Sequence, residues 1–151
     1  YCMDIQHHEE QSIMKLIPVT QQSPGQFPLF VEPVSAGFPS VASDYVDEFI
    51  DLNTHLIKHP SATYFLRVTG SSMVEARIHE GDLVIVDSSL EAKEGDIVIA
   101  TVDGDFTIKR LQLSPAPALL PMNSRMSPIY LKEGEELAIF GVVTFIVYKA
   151  L

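Results

Sequence analysis

Between Thr63 and Tyr148 the chain is a succession of apolar runs stopped by turns. The runs are TYFLRV (63–68), LVIV (83–86), DIVIATV (96–102), DFTIKRLQL (105–113), ALLPM (118–122) and LAIFGVVTFIVY (137–148). They are rich in β-branched and aromatic residues, which fit a pleated, half-buried surface. Glu80-Gly81-Asp82, Glu94-Gly95-Asp96, Asp103-Gly104 and Glu133-Gly134 punctuate them. Asp103-Gly104 stands between two runs and is the strongest hairpin signal in the chain, because Asp-Gly tolerates the positive φ angles that a two-residue turn demands. The pattern predicts a mainly β body of two strongly bent sheets, with a little helix in front.

That helix is expected in SDYVDEFIDLNTHLIKHP (43–60). Ser43 or Asp44 supplies a cap, and Val46, Phe49 and Ile50, then Leu52, Leu56 and Ile57, recur at helical spacing up to Pro60. His55 and His59 are four apart and would share a helical face, as metal ligands do. No third ligand cluster accompanies them, so they are read as surface or structural histidines. Further upstream, Pro18, Pro24, Pro28, Pro33 and Pro39, with Gly25 and Gly37 between them, argue for an extended arm, since proline removes backbone donors and disfavours helix before it. The arm carries Phe27, Leu29, Phe30, Val31, Val34 and Phe38, so it is expected to lie against something. The first residues, YCMDIQHHEEQS, are polar and without period, and His7 and His8 there read as solvated side chains of a tail. Met14 is read as the natural start. The layout is a non-native or disordered extension (1–13), an extended arm (14–40) and a β domain (41–151).

Bulk properties narrow the function. A chain of 151 residues holds one domain with a real core. Its net charge of −10 argues against gripping nucleic acid through its own surface, so a nucleic-acid role would pass through a partner protein. No run approaches the roughly 20 apolar residues of a membrane helix, and no secretory signal is visible. Cys2 is the single cysteine, which excludes an internal disulfide and suits a reducing cytoplasm. No metal or cofactor is expected.

Within TGSSMVEARIHEGD (69–82) two serines follow a glycine. Ser72-Met-Val-Glu75 fits a capping box, in which Ser72 would do no more than start a short helix through Ile78. A serine at a helix N-terminus also stands beside free backbone N–H groups, which can stabilise an oxyanion. A nucleophilic serine needs a base. His7 and His8 lie in the tail, His55 and His59 flank the helix end, and His79 sits near a turn; none has an obvious acidic partner. A lysine base is the alternative, and it must lose its proton near neutral pH, which burial in apolar surroundings promotes. Of the six lysines, Lys15 is in the arm, Lys58 precedes His59-Pro60, Lys93 and Lys132 are in turns, and Lys149 is near the C-terminus. Lys109 alone lies inside a strand. Alternation puts Thr107 on its face, two residues away, where the hydroxyl can hydrogen-bond the amine. A snorkelling lysine on an edge strand fits the same residues, so on these grounds both readings stand.

The segments GSSM (70–73), GDLVIVD (81–87) and GDIVIATVDGDFTIKRL (95–111) resemble the serine–lysine peptidases of the LexA/UmuD family. The resemblance extends through HPSATYFLRVTGSSM (59–73), LLPMNS (119–124) and FGVV (140–143), and to FPLF (27–30) and SAGFPS (35–40) in the arm. Within the family the chain is most similar to the UmuD-like (MucA-like) SOS mutagenesis proteins. The resemblance implies a LexA/UmuD-type fold, with Ser72 as nucleophile and Lys109 as general base, Thr107 in support and the Met73 backbone N–H as an oxyanion donor. Ala36-Gly37 matches the self-cleaved bond. The segment VEARIHEG (74–81) departs from the family's usual Asp-Gly-rich turn, a change expected to alter surface rather than chemistry. LexA-type repressors carry a helix-turn-helix before the cleavage site, and none is visible here. Signal peptidases share the dyad logic but need a membrane anchor. The implied activity is self-cleavage stimulated by the RecA–single-stranded DNA filament. The implied partners of the trimmed homodimer are a UmuC-type Y-family DNA polymerase, for translesion synthesis, and the replicative sliding clamp. A module that only binds polymerase or clamp, with a silent dyad, is the alternative.

Overall fold

A computed structural model describes residues 24–30, 46–132 and 134–151. The described chain is mainly β, in two antiparallel sheets of two and seven strands. It divides between His55 and Leu56 into two units. The expectations for residues 1–13, for His7 and His8, and for the Ala36-Gly37 bond lie outside the described residues.

In the first unit, β1 (Gln26–Phe30) pairs antiparallel with β2 (Val46–Asp51), with Phe27 opposite Ile50 and Pro28 opposite Phe49. The helix expected over 43–60 is therefore corrected: Val46–Asp51 is a strand and only α1 (Leu52–Leu56) is α-helical, while the Ser43 and Asp44 caps lie outside the described residues. Val46, Phe49 and Ile50 recur at a spacing that suits either period in so short a run. A pairing partner far away in sequence decides for the strand, which also suits β-branched and aromatic residues. Asp51 ends it, and its Oδ1 accepts the Asn53 backbone N–H at 2.9 Å, satisfying one of the free donors of the helix start. The segment 26–30 is extended, as Pro28 favours, and it is also paired.

The second unit is built on β3 (Thr63–Arg67), β4 (Leu83–Asp87), β5 (Ile97–Val102), β6 (Asp105–Gln112), β7 (Ala118–Leu120), β8 (Ile129–Tyr130) and β9 (Ile139–Val147). Their order in the sheet is β3-β4-β9-β5-β6-β7-β8. The six expected runs are strands, five with ends trimmed by one to two residues and LVIV lengthened by Asp87, and β8 is an addition too short to announce itself. Asp103 and Gly104 join β5 to β6 with φ of 51° and 86°, the two positive angles that a two-residue hairpin of this hand requires.

Two apolar clusters form the core. Val68, Met73, Ile78, Val84, Val86 and Ile99 make the first, and Val98, Ala100, Leu111, Leu119 and Val142 the second. Val98 and Ile99 are neighbours in β5 yet belong to different clusters, so this central strand is buried on both faces. That is why its sequence is a continuous apolar run rather than an alternating one. Strand β9 bends to serve both halves: Val142–Val147 pair with β4, and Ile139–Val142 with β5. At the bend Gly141 comes so close to β4 that an added Cβ would lie 2.7 Å from Val86 Cγ1 and 3.0 Å from the Asp87 carbonyl oxygen. The curl brings distant strands together. Phe140 of β9 packs against Tyr64 of β3 at 5.0 Å between centroids and against Phe106 of β6 at 5.2 Å.

At the entrance to β3, His59 Nδ1 lies 2.6 Å from Asp87 Oδ2 at the end of β4. Asp87 is buried, and its Oδ1 accepts from the Ser89 hydroxyl and backbone N–H. The Ser89 hydroxyl bond, opposed by burial and assisted by His59, holds the Asp87 carboxyl below its usual range. His59 is thus a structural histidine that ties the start of the β domain to its second strand.

Candidate active site

The loop between β3 and β4 carries the two serines. Its ends are closed by Val68 N–H to the Asp82 carbonyl at 2.9 Å and Gly81 N–H to the Val68 carbonyl at 2.8 Å. Met73 and Ile78 anchor its middle in the first core cluster, with 1% and 0% of their surface exposed. Ser72 is thereby held next to a core anchor rather than on a free loop tip. The expected capping box does not form. Met73 occupies the N-cap of a single 3₁₀ turn, Val74–Ala76, with no side-chain cap bond. Glu75 is engaged elsewhere: its Oε2 accepts the Ser124 backbone N–H at 2.8 Å. The Ser72 hydroxyl, free of capping, points to β6.

Strand β7 pairs with β6 only at Arg110–Gln112, so among the described residues the β6 edge before Arg110 has no strand partner on that side. Ser72 sits at this edge, its Oγ 3.5 Å from the Ile108 carbonyl oxygen and 3.2 Å from Lys109 Nζ. Lys109 Nζ also contacts Thr107 Oγ1 at 2.6 Å and the Ile108 carbonyl oxygen at 3.2 Å. The lysine is only 9% exposed, against the surface lysine that an edge strand would allow. It forms no ion pair among the described residues, and burial pushes its ammonium below the usual range. Desolvation disfavours the charged form.

Lys109 Nζ has three contacts, all as donor. Nζ donates to Ser72 Oγ, Thr107 Oγ1 and the Ile108 carbonyl, and an amine that has lost one proton has a lone pair free to accept from the Ser72 hydroxyl. In that protonation state the pair can pass the serine proton to nitrogen. Among the described residues the backbone N–H groups of Ser72 and Met73 have no backbone partner, and Ser72 lines the neighbouring cleft. A cleft of about 380 Å³ opens onto the pair, walled by β3, the serine loop and β6. Its described lining includes Arg67 and Lys109 but no histidine, aspartate or glutamate, so His55, His59 and His79 do not stand in it. Ser72, Lys109, Thr107 and Met73 are brought together; Ser71, although adjacent, directs its carbonyl to Asn123 and is exposed.

Residues that pattern reading passed over lie in the segment after β7. Met122 donates its backbone N–H to the Ser72 carbonyl at 2.7 Å and accepts the Glu75 N–H at 2.7 Å. Asn123 Nδ2 donates to the Ser71 carbonyl at 2.8 Å. By sequence, Asn123-Ser124 reads only as a turn after a strand, and the contact spans some fifty residues.

Comparison with known proteins agrees with this geometry. The family model described as Peptidase S24-like matches residues 28–144. Protein SamA of Salmonella typhimurium is 50% identical over 138 residues, 90% of this chain and 96% of that protein. Protein MucA of Escherichia coli is 48% identical over 118 residues, covering 78% and 81%. LexA repressor 2 of Geobacter sulfurreducens is 40% identical over 112 residues, 73% of this chain and 54% of the repressor.

Proposed function

The chain belongs to the Peptidase S24-like family, and from that premise we propose that it is a serine–lysine peptidase that cleaves itself at Ala36-Gly37. The observation that carries the reading is the buried Lys109 amine 3.2 Å from the Ser72 hydroxyl. Lys109, neutral when the arm covers it, takes the Ser72 proton as Oγ attacks the Ala36 carbonyl. Thr107 holds the amine, and the Ser72 and Met73 N–H groups hold the oxyanion. The C–N bond to Gly37 breaks, and Lys109 returns its proton to the leaving amine. Water, deprotonated by the same lysine, then releases the acyl group as the Ala36 carboxylate. The arm reaches Ser72 by pairing with a sheet edge, a mode in which backbone bonds present the scissile peptide.

The likeness to SamA and MucA supports a place in SOS mutagenesis, as the resemblance to UmuD-like proteins implies. In that role a RecA–single-stranded DNA filament stimulates cleavage. The trimmed homodimer serves a UmuC-type translesion polymerase in the cytoplasm, with the sliding clamp as a further partner. The net charge of −10 suits a subunit whose DNA is held by others.

The test is mass spectrometry of pure protein after incubation. Ser72→Ala and Lys109→Ala are each expected to stay intact, while Ser71→Ala is cut like the wild type. A dead Ser71→Ala beside an active Ser72→Ala would reverse the choice of nucleophile.

A further inference from the structure

Peptide planes at the serine loop are set from outside it. In a trans peptide the C=O and N–H point in opposite directions. The Ser71 carbonyl is turned toward Asn123, whose Nδ2 donates to it at 2.8 Å. The N–H of the same peptide, that of Ser72, is therefore aimed away from Asn123. The Ser72 carbonyl is turned the same way by the Met122 N–H at 2.7 Å, which aims the Met73 N–H away in turn. Neither N–H has a backbone partner among the described residues. The loop's own contribution is weaker: Val74 N–H reaches the Ser71 carbonyl at 3.4 Å.

We propose that Asn123 is a positioning residue for self-cleavage, its side-chain amide holding the Ser71 carbonyl so that the Ser72 N–H is aimed at the oxyanion. This rests on the Ser72–Lys109 reading above. The Asn123 side chain divides its work between two segments. Its Oδ1 accepts the Arg125 N–H at 3.0 Å and shapes its own turn, and only its Nδ2 crosses to the serine loop. Asn123→Asp therefore keeps the acceptor for the turn and removes only the donor to Ser71. The crossing bond is reinforced by Ser124 N–H to Glu75 at 2.8 Å, so the two segments stay in register when one contact is lost.

A donor aimed at developing charge contributes more than an ordinary hydrogen bond, and deleting one outright slows reactions by about a hundredfold or more. A donor left in place but no longer held is expected to slow cleavage by at least about tenfold. The experiment measures self-cleavage of the full chain from pH 6 to 11 for wild type, Asn123→Ala, Asn123→Asp and Ser72→Ala, with melting temperatures alongside. The expected result is a plateau rate lowered at least about tenfold in both Asn123 variants, with the midpoint of the Asn123→Ala profile unmoved. An unmoved midpoint means that Lys109 keeps its surroundings; a loosened fold would hydrate the amine and move the midpoint up. The added charge of Asn123→Asp can shift its midpoint, but its plateau is read where the amine is neutral. Plateau rates equal to wild type in either variant overturn the proposal, as does an Asn123→Ala profile that is displaced without a lower plateau. A variant that has lost its melting transition shows a structural role and overturns it too. Failure of the underlying dyad looks different: the wild type would not cut, or Ser72→Ala would, and the positioning role falls with it.

Discussion

At the scale of single residues, the chemistry turns on one proton. In the proposed mechanism a protonated Lys109 cannot accept from Ser72, and burial is what lowers its pKa. The sign follows directly. The rate tracks the neutral fraction, so it rises with pH through the folded-state pKa, below the reference of 10.5, and then levels off. Lys109→Arg retains a cation of similar reach that stays protonated at any usable pH. It is expected to be as inactive as Lys109→Ala even at pH 10, as followed by gel or mass spectrometry. A wild-type rate flat from pH 6 to 10, or an active arginine variant, would remove Lys109 as the base.

At the scale of elements, β9 must bend and still pair on both sides, and Gly141 makes that possible. Alanine there would set a Cβ 2.7 Å from Val86 Cγ1 and 3.0 Å from the Asp87 carbonyl oxygen. Backbone contact on one side leaves little room to adjust. Gly141→Ala is expected to cost about 1–3 kcal/mol, the usual range for overpacking a core. The measurement is the urea midpoint at constant m-value, and an unchanged midpoint would mean that β9 shifts without loss. Val86 belongs to the first core cluster, so the strain would spread toward Met73, the anchor beside Ser72.

At the scale of the whole molecule, self-cleavage joins two parts of one chain. The bond proposed to break, Ala36-Gly37, belongs to the proline-punctuated arm, and the reacting pair belongs to the β domain. N-terminal sequencing of the larger product is expected to begin at Gly37; any other start would move the cleavage site. An activating filament that favours the docked arm raises the population in which Lys109 is covered, so it should displace the pH profile toward neutrality. Equal profiles with and without filament would separate activation from lysine burial. A chain that stays whole at pH 10 would favour the module that only binds its partners.

The β runs, their Gly-Asp and Asp-Gly turns and the Asp103-Gly104 hairpin were legible in the sequence, because alternation and turn chemistry are local. Lys109 stood out because it alone among the lysines interrupts a strand, and Thr107 followed from the two-residue period. Whether that lysine was exposed or buried was not legible, because burial depends on the serine loop settling against β6, a contact between residues 37 apart in sequence. Val46–Asp51 read as helix because its strand partner lies some twenty residues upstream, beyond the reach of a local period. The capping box failed for a related reason: Glu75 found the Ser124 backbone across the fold and left the Ser72 hydroxyl for Lys109. Local pattern determined which segments are strands. Long-range pairing alone decided which serine meets the lysine, and Asn123 entered the site only because a turn after β7 brings its amide to the Ser71 carbonyl.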